Sequence, residues 1–538
     1  MIELYKIGTK IRIIPQTSIL FSYFYRQIAI EIKMKILSCT QQKEADAYTI
    51  AQENILSINL MEKAASLLTD EICRRWDKSH RIIIFAGAGN NGGDAVAMAR
   101  MLFLKNYTVE VYLFNITGVL SDDCMKNVLR LQECGFPNYH EISTSFDPPQ
   151  LTKDDIVVDG LFGSGLNKPL SGGFASVVKY INASASTVVS IDLPSGLMGE
   201  DNSNNIRQNI VRADLTLSIQ LPKLSFLFAE NEEIVGEWKL LDIGISKNFI
   251  DQAESPYSIT EEEEIRLMVK PRNRFAHKGN FGHGLLIAGS HGMAGASVLA
   301  ARACLRSGIG RLTVHAPVCN HDILQTSVPE AMVQNDVHEL CFAEPVDLDN
   351  YQALAIGPGI GLEEETAAAT FEQLKECFIP LVLDADALNL FSSHRNFLNR
   401  IPKRTILTPH VGELERITGR CNNSFERLTK AKELAAYLQC YIVLKGAYTV
   451  VITPEGNCYF NPTGNPGMAT GGSGDVLTGI LLSLLAQGYT QEHACRLGVY
   501  IHGLAGDIAR NRVGEISLTA SDIIDALPEA WKTITEKQ

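Results

Sequence analysis

Short β-branched runs alternate with helical stretches along most of the chain. In the first half the runs fall at 81–86, 108–114, 155–158, 187–191 and 213–219, the rhythm of a parallel sheet joined by crossover helices. Three of them lead into glycine- or aspartate-bearing turns: GAGNNGGD at 87–94, DGLFGSG at 159–165 and IDLPSG at 191–196. Because the carboxyl ends of strands form the ligand crevice of a doubly wound sheet, a site is expected at these turns. The rhythm stops around 246–264, where polar residues and the run EEEE at 261–264 replace strand signals, and resumes at 284–288, 311–315, 353–356, 381–384, 405–407 and 441–444. Two αβα sandwich domains of the α/β class follow, over 34–248 and 262–538, with a linker at 249–261.

A chain of 538 residues with 46% hydrophobic and 20% charged residues is long enough for two substantial cores. The formal net charge of -13 argues against broad attachment to nucleic acid or to an anionic membrane. Twelve scattered cysteines contain no C-x-x-C pair, which removes the zinc-knuckle and disulfide-framework readings and points to a reducing cytoplasm. Residues 1–33 precede a second methionine, Met34, and carry neither a helical period nor a usable signal or membrane segment; they read as a dispensable N-terminal extension.

In the first half, GAGNNGGD precedes a helical stretch at 95–104, so backbone amides and a helix N-terminus can meet a phosphate. The spacing is not G-x-G-x-x-G, and a tight strand-to-helix connection is the plain alternative. Asn90, Asn91 and Asp94 add polar side chains to that turn. Asp159 and Asp192 each end a strand, and with Asn91 and Ser195 they make an oxygen-rich set able to hold a weakly hydrated cation; taken singly, each aspartate serves equally well as a turn cap.

In the second half, glycines at 471, 472 and 474 lead into a helix whose Val476, Leu477, Ile480, Leu481, Leu484 and Leu485 form an apolar stripe. The amides of Gly472, Ser473 and Gly474 suit an anion, and Asp475 sits where a carboxylate can take a hydroxyl proton. An anion hole beside a base is what phosphoryl transfer to an alcohol requires. G-x-x-x-x-G-K-[S/T] is absent.

The combination NLMEKAA (59–65), GAGNNGGDAVAMAR (87–100), VVDGLFGSGLNKP (157–169), SIDLPSG (190–196) and LDIGI (241–245) resembles the Rossmann-like epimerase domain of the NAD(P)H-hydrate repair enzymes. GSGD before a late helix resembles the ribokinase-like superfamily. RNRFAHKGNFGHGLLIAGSHGMAGA (272–296), AIGPGIG (355–361), LDADALN (383–389), LTPHVGE (407–413) and VLKGAYTVV (443–451) narrow that likeness to the ADP- or ATP-dependent NAD(P)H-hydrate dehydratases. The resemblance implies a bifunctional isomerase and lyase acting on NADHX and NADPHX.

For the epimerase it implies potassium held by Asn91, Asp159 and Ser195, and Asp192 at the reacting ring. The hydrate would be bound by Asn90, Asn91, Gly92, Gly93 and Asp94 and by Gly163, Ser164, Gly165, Leu166, Asn167, Lys168 and Pro169. For the dehydratase it implies Asp475 as base, with Ala296, Gly359 and His410 at the hydrate. Lys445, Gly446, Ala447, Tyr448, Thr449 and Gly474 would lie along ADP or ATP, accompanied by Mg2+. A homo-oligomer in the cytoplasm is also implied. Ala95 departs from the glycine often found after NNGGD, which bears on the tightness of that turn. The competing reading is a ribokinase-like small-molecule kinase with a non-catalytic N-terminal binding module.

Overall fold

The computed structural model describes residues 4–6, 9–11 and 34–536. The extension at 1–33 lies outside the described residues except for two short antiparallel strands, Leu4–Lys6 and Thr9–Ile11. Among the described residues no helix is long and apolar enough to cross a membrane.

The first half forms a seven-stranded, wholly parallel sheet. From edge to edge its strands are Glu237–Leu241, Leu215–Ile219, Thr187–Ile191, Ile156–Gly160, Arg81–Gly87, Thr108–Phe114 and Tyr139–Ile142. The inner strands are buried on both faces; Ile82, Ile83, Ile84 and Phe85 are fully inaccessible, which is why they read as continuous β-branched runs instead of alternating ones. The chain winds outward from Arg81–Gly87 to one side and then returns to Ile156–Gly160 on the other. The switch point therefore lies between GAGNNGGD and DGLFGSG, where a doubly wound sheet opens a crevice.

The second half repeats the plan in an eleven-stranded sheet. Strand His283–Ile287 lies between Arg311–Ala316 and Ala353–Ile356, and the parallel part continues through Leu381–Leu383 and Ile406–Leu407 to Tyr441–Leu444. Strands Val450–Ile452 and Cys458–Phe460 then turn antiparallel.

Several expectations are corrected. The segment read as a linker carries the strand Tyr257–Ile259, which pairs with Cys458–Phe460, and the strand Met34–Lys35 adds to it from the start of the first half. Strands of two or three residues are too short to show a period. The acidic run is not simply solvated: Glu264 is buried, with the Arg496 guanidinium 2.6 Å away. The turn NNGGD is helical, since the helix spans Asn90–Leu104. Its glycines serve close approach and not turn geometry: a Cβ on Gly92 would lie 1.7 Å from the Gly87 carbonyl oxygen. Ala95 faces Gly160, whose own added Cβ would lie 2.6 Å away, so this departure from the family pattern is accommodated by a glycine across the interface.

The halves share a core. Leu224, Leu227 and Phe228 pack in one cluster with Leu444, Val450 and Phe460, and the Glu230 carboxylate accepts from Ser424 N and Oγ at 2.8 and 2.5 Å.

In the second half, helices Ala294–Arg306 and Ser473–Ala486 meet at Gly479, where a Cβ would stand 2.1 Å from the Ala300 carbonyl oxygen. Overpacking of this kind costs about 1–3 kcal/mol or more. Gly479→Val is expected to lower stability by at least that much, read as a reduced urea midpoint with an unchanged slope.

Candidate functional site

In the first half, Asp159 and Asp192 lie at the ends of neighbouring strands but are placed differently. Asp159 ends the strand Ile156–Gly160 and is fully buried. Its carboxylate accepts from Ser195 Oγ (2.5 Å), Ser195 N (2.7 Å), Ser190 Oγ (2.9 Å) and Leu161 N (3.3 Å). All of these donors are neutral, and burial holds the carboxyl above its usual range despite them.

Asp192 follows the strand Thr187–Ile191 with φ +65°, a left-handed conformation uncommon for a non-glycine residue. Leu193 N donates to Ile191 O across it, while Asp192 N donates to Leu217 O on the neighbouring strand. This tight turn directs the carboxylate into the crevice, where it meets Lys223 Nζ at 2.7 Å and Ser164 N at 3.1 Å. Gln220 repeats the device after the next strand, with φ +62°. Strained residues of this kind persist where surrounding structure overdetermines them.

Asp192 borders a cleft of about 560 Å³, whereas Asp159 and Ser195 are fully buried behind it and do not line it. Asn90, Asn91, Asp94 and the whole stretch Gly163, Ser164, Gly165, Leu166, Asn167 and Lys168 line it together with Asp192. Gly92, Gly93 and Pro169 do not; the two glycines pack inward, against Gly87 and Met61. Gly163 seals the contact between Asn91 and Asp192, since a Cβ there would lie 2.9 Å from Asn91 Oδ1 and 3.2 Å from Asp192 Oδ2. The buried Asn91 Nδ2 has no partner among the described residues.

In the second half the organising group is Asp384, which the sequence reading quoted within LDADALN without a role. It is almost fully buried at the end of Leu381–Leu383 and accepts from Lys445 Nζ (2.9 Å), Thr408 Oγ1 (2.7 Å) and Thr478 Oγ1 (2.6 Å). Burial opposes its charge, but Lys445 and the two hydroxyls outweigh burial and hold the carboxyl below its usual range. Ala385, next in the chain, has φ +49° and caps the helix Asp386–Ser393.

Asp475 stands in the first turn of the helix Ser473–Ala486. Burial, and then the Asp384 charge, push its carboxyl up to about 7. Ser473 N is engaged by Thr470 O, which leaves the Gly474 and Asp475 amides as the helix-start donors without intrahelical partners. This narrows the anion cradle expected from Gly472, Ser473 and Gly474.

Gly359, at φ +62°, faces Ala296; a Cβ on it would lie 3.0 Å from those of Ala296 and Met293. Two residues read as hydrate contacts are thus neighbours at the second sheet's switch point. His410 caps the helix Val411–Thr418, its Nδ1 accepting from Gly412 N (3.0 Å) and Glu413 N (3.3 Å). This cap is a structural role for the histidine, and its ring remains half exposed. Lys445 is turned toward carboxylates, 2.9 Å from Asp384 and 3.8 Å from Glu413. Of the stretch expected along the nucleotide, Gly446 and Ala447 are exposed.

A family model described as YjeF-related protein N-terminus matches residues 57–225, and one described as NAD(P)H-hydrate dehydratase matches residues 284–529. A bifunctional NAD(P)H-hydrate repair enzyme of Thermofilum pendens is 33% identical over 94% of this chain and 97% of its own length. The chain belongs to this family of bifunctional NAD(P)H-hydrate repair enzymes. The Moorella thermoacetica member is likewise 33% identical, over 94% of this chain and 98% of its own. An ADP/ATP-dependent NAD(P)H-hydrate dehydratase from Bacillus subtilis, co-crystallised with ATP and Mg2+, is 36% identical over 51% of this chain and 98% of that one, with a TM-score of 0.47.

Within this repair enzyme, sequence reasoning missed Lys223, Asp384 and Asp46. Lys223 lies in LPKLSF after a strand, and only a lysine flanked by apolar residues hinted at burial. Asp46 sits in a polar helix, Cys39–Glu53, with nothing local to mark it.

The raised pKa of Asp475 carries a stability consequence. A carboxyl whose folded pKa of about 7 exceeds its ordinary 3.8 keeps a proton that the unfolded chain has released, so stability declines as pH rises between those values. Asp475→Asn in the nucleotide-free protein is therefore expected to raise Tm at about pH 8 and to leave it nearly unchanged at about pH 4. Equal effects at both would contradict the assignment.

Proposed function

We propose that the front half interconverts the R and S hydrates of NADH and NADPH. The back half dehydrates the S form to NAD(P)H at the expense of ADP or ATP, giving AMP or ADP and phosphate. The observation that carries the second activity is Asp475: a carboxyl held near neutrality, in the first turn of a helix, beside the Gly474 amide. A base works best with a pKa close to the operating pH, and helix-start amides suit phosphate oxygens.

Asp475 takes the proton of the hydrate hydroxyl as its oxygen attacks the terminal phosphorus. AMP or ADP leaves as the phosphorus–oxygen bond to the hydrate forms; the ring nitrogen lone pair then expels that oxygen as phosphate, and loss of a proton from the adjacent ring carbon to the departing phosphate restores the double bond. Ala296, Gly359 and His410 bound the hydrate, while Gly474 and the 445–449 stretch follow the nucleotide. Lys445, tied to Asp384, sets the charge that Asp475 experiences. Magnesium bound with the nucleotide would neutralise its phosphates.

In the front half, Asp192 balances positive charge on the ring during epimerisation, and the 90–94 and 163–169 segments surround the hydrate. Asn91, Asp159 and Ser195 fit a potassium ion. Their available ligand atoms are oxygens, and Asp159 is a buried carboxylate bonded only to neutral donors. Such an ion would offset the Asp159 charge and order the loops around it. We further propose that the protein works as a cytoplasmic homo-oligomer.

Purified protein given mixed hydrates with ADP or ATP is expected to restore the full reduced-nicotinamide absorbance, and Asp475→Asn to cut that rate by at least about 100-fold. A stable phosphorylated product without recovered NAD(P)H would instead indicate the kinase reading. Asp192→Ala is expected to leave the R hydrate behind while the S hydrate is consumed normally, as resolved by chromatography of the residual epimers.

A further inference from the structure

Three carboxyl groups face the front-half cleft, and among the described residues a single buried cation is available to them. Asp192 holds it: Lys223 Nζ lies 2.7 Å from Oδ1, and the same ammonium also donates to Ser218 Oγ and Leu221 O at 3.1 Å each. Ile219 O, at 3.4 Å, is a fourth and longer acceptor, so its three protons are engaged. Asp46 enters the cleft from the helix Cys39–Glu53. It is largely shielded from water, and among the described residues no hydrogen bond or ion pair reaches its carboxyl group. Asp94, from the helix Asn90–Leu104, is buried at the same cleft. Lys43 and Lys168 also line the cleft but are exposed and make no ion pair with Asp46.

Carboxyl groups sharing one low-dielectric cleft with one counter-cation do not all ionise together. A carboxyl with no cation of its own, beside a charged neighbour, keeps its proton to higher pH. The local electrostatics agree: burial, then the Asp192 charge, push Asp46 up to about 6 against the pull of Lys223. Asp94 lies well above its usual range through burial and the charges of Asp192, Asp46 and Asp123.

We infer that Asp46 is the acid of the epimerisation, giving its proton to the departing hydroxyl while the Lys223-bound Asp192 carboxylate balances the ring cation. This inference rests on the epimerase reading of the cleft and divides between two residues a task otherwise left to Asp192 alone. The Asp46 proton passes to the hydroxyl oxygen on the carbon beside the ring nitrogen. The carbon–oxygen bond breaks, water departs, and the nitrogen lone pair forms the carbon–nitrogen double bond. Water then adds to the opposite face, the lone pair returns to nitrogen, and the proton released from that water returns to Asp46. Water is lost and regained, and nothing is oxidised.

The test uses the full-length protein without nucleotide, so that dehydration is silent, and follows conversion of one purified epimer into the other. Asp46→Asn is expected to lower kcat by about 100-fold or more with little change in KM, and to abolish the alkaline decline of the wild-type kcat profile. Asp46→Glu should recover part of the rate. Nucleotide-dependent dehydration of the S hydrate by the same variant, unchanged from wild type, reports that the chain is folded. An Asp46→Asn rate within a few fold of wild type with the decline intact, or a decline removed by Asp94→Asn in its place, would overturn the assignment. Absence of epimerisation by the wild-type protein would bring down the epimerase reading itself, a result distinct from either.

Discussion

The ion pair between Lys445 and Asp384 organises the back half. An aspartate almost fully buried at a strand end is costly unless a cation and good hydrogen bonds compensate it, and here the ammonium at 2.9 Å is joined by the hydroxyls of Thr408 and Thr478. Those three partners lie on three different segments: the turn after Ile406–Leu407, the end of Tyr441–Leu444 and the helix that begins at Ser473. One carboxylate therefore fixes the start of that helix relative to the sheet. The backbone gives way around it: Ala385 adopts a positive φ, and Gly357 leaves no room for a Cβ, which would lie 1.8 Å from the Asp384 carbonyl oxygen. Removing one partner would leave the other charge buried and alone, a much larger penalty than losing a surface contact.

The front half solves a related problem with different means. Asp159 is buried as completely, yet two serine hydroxyls and two backbone amides replace the lysine, and its carboxyl rises where that of Asp384 falls. The cation of the front half is spent one strand away, on Asp192. A site with an uncompensated buried carboxylate can accept a monovalent ion from solution, whereas one already neutralised by lysine gains little from it.

Much of this architecture was legible along the chain, because fully buried parallel strands write themselves as unbroken β-branched runs: Ala353–Ile356 and Tyr441–Leu444 fall where the pattern put them. The three aspartate-bearing turns of the front half were legible for the same reason, each following a strand of that kind. Interactions that depend on sequence-distant partners were not. Asp46 and Asp192 are 146 positions apart, and nothing in a helix of mixed polarity reveals that one of its aspartates faces a cleft; Lys223 looks like any surface lysine until the sheet places it beneath Asp192. The strands Met34–Lys35 and Tyr257–Ile259 are invisible because their pairing is decided by the exposed edge they cover. NNGGD was misread as a turn because glycine signals both conformational freedom and close approach, and here only the second applies.

The two halves carry the same electrostatic arrangement turned to different chemistry. In each, one aspartate is paired with a lysine, and its charge helps to hold a neighbouring carboxyl above its ordinary range: Asp384 acts on Asp475, which sits near 7, and Asp192 acts on Asp46, which sits near 6. Burial is the larger cause in both cases, so the surrounding protein matters as much as the charge beside it. A carboxyl poised at neutrality can accept a proton when the substrate oxygen must become a nucleophile, and can donate one when that oxygen must leave as water. A lysine-paired aspartate tunes its neighbour through its charge. The arrangement thus separates the group that holds charge from the group that moves the proton, which lets one physical device serve hydroxyl activation in one domain and hydroxyl departure in the other.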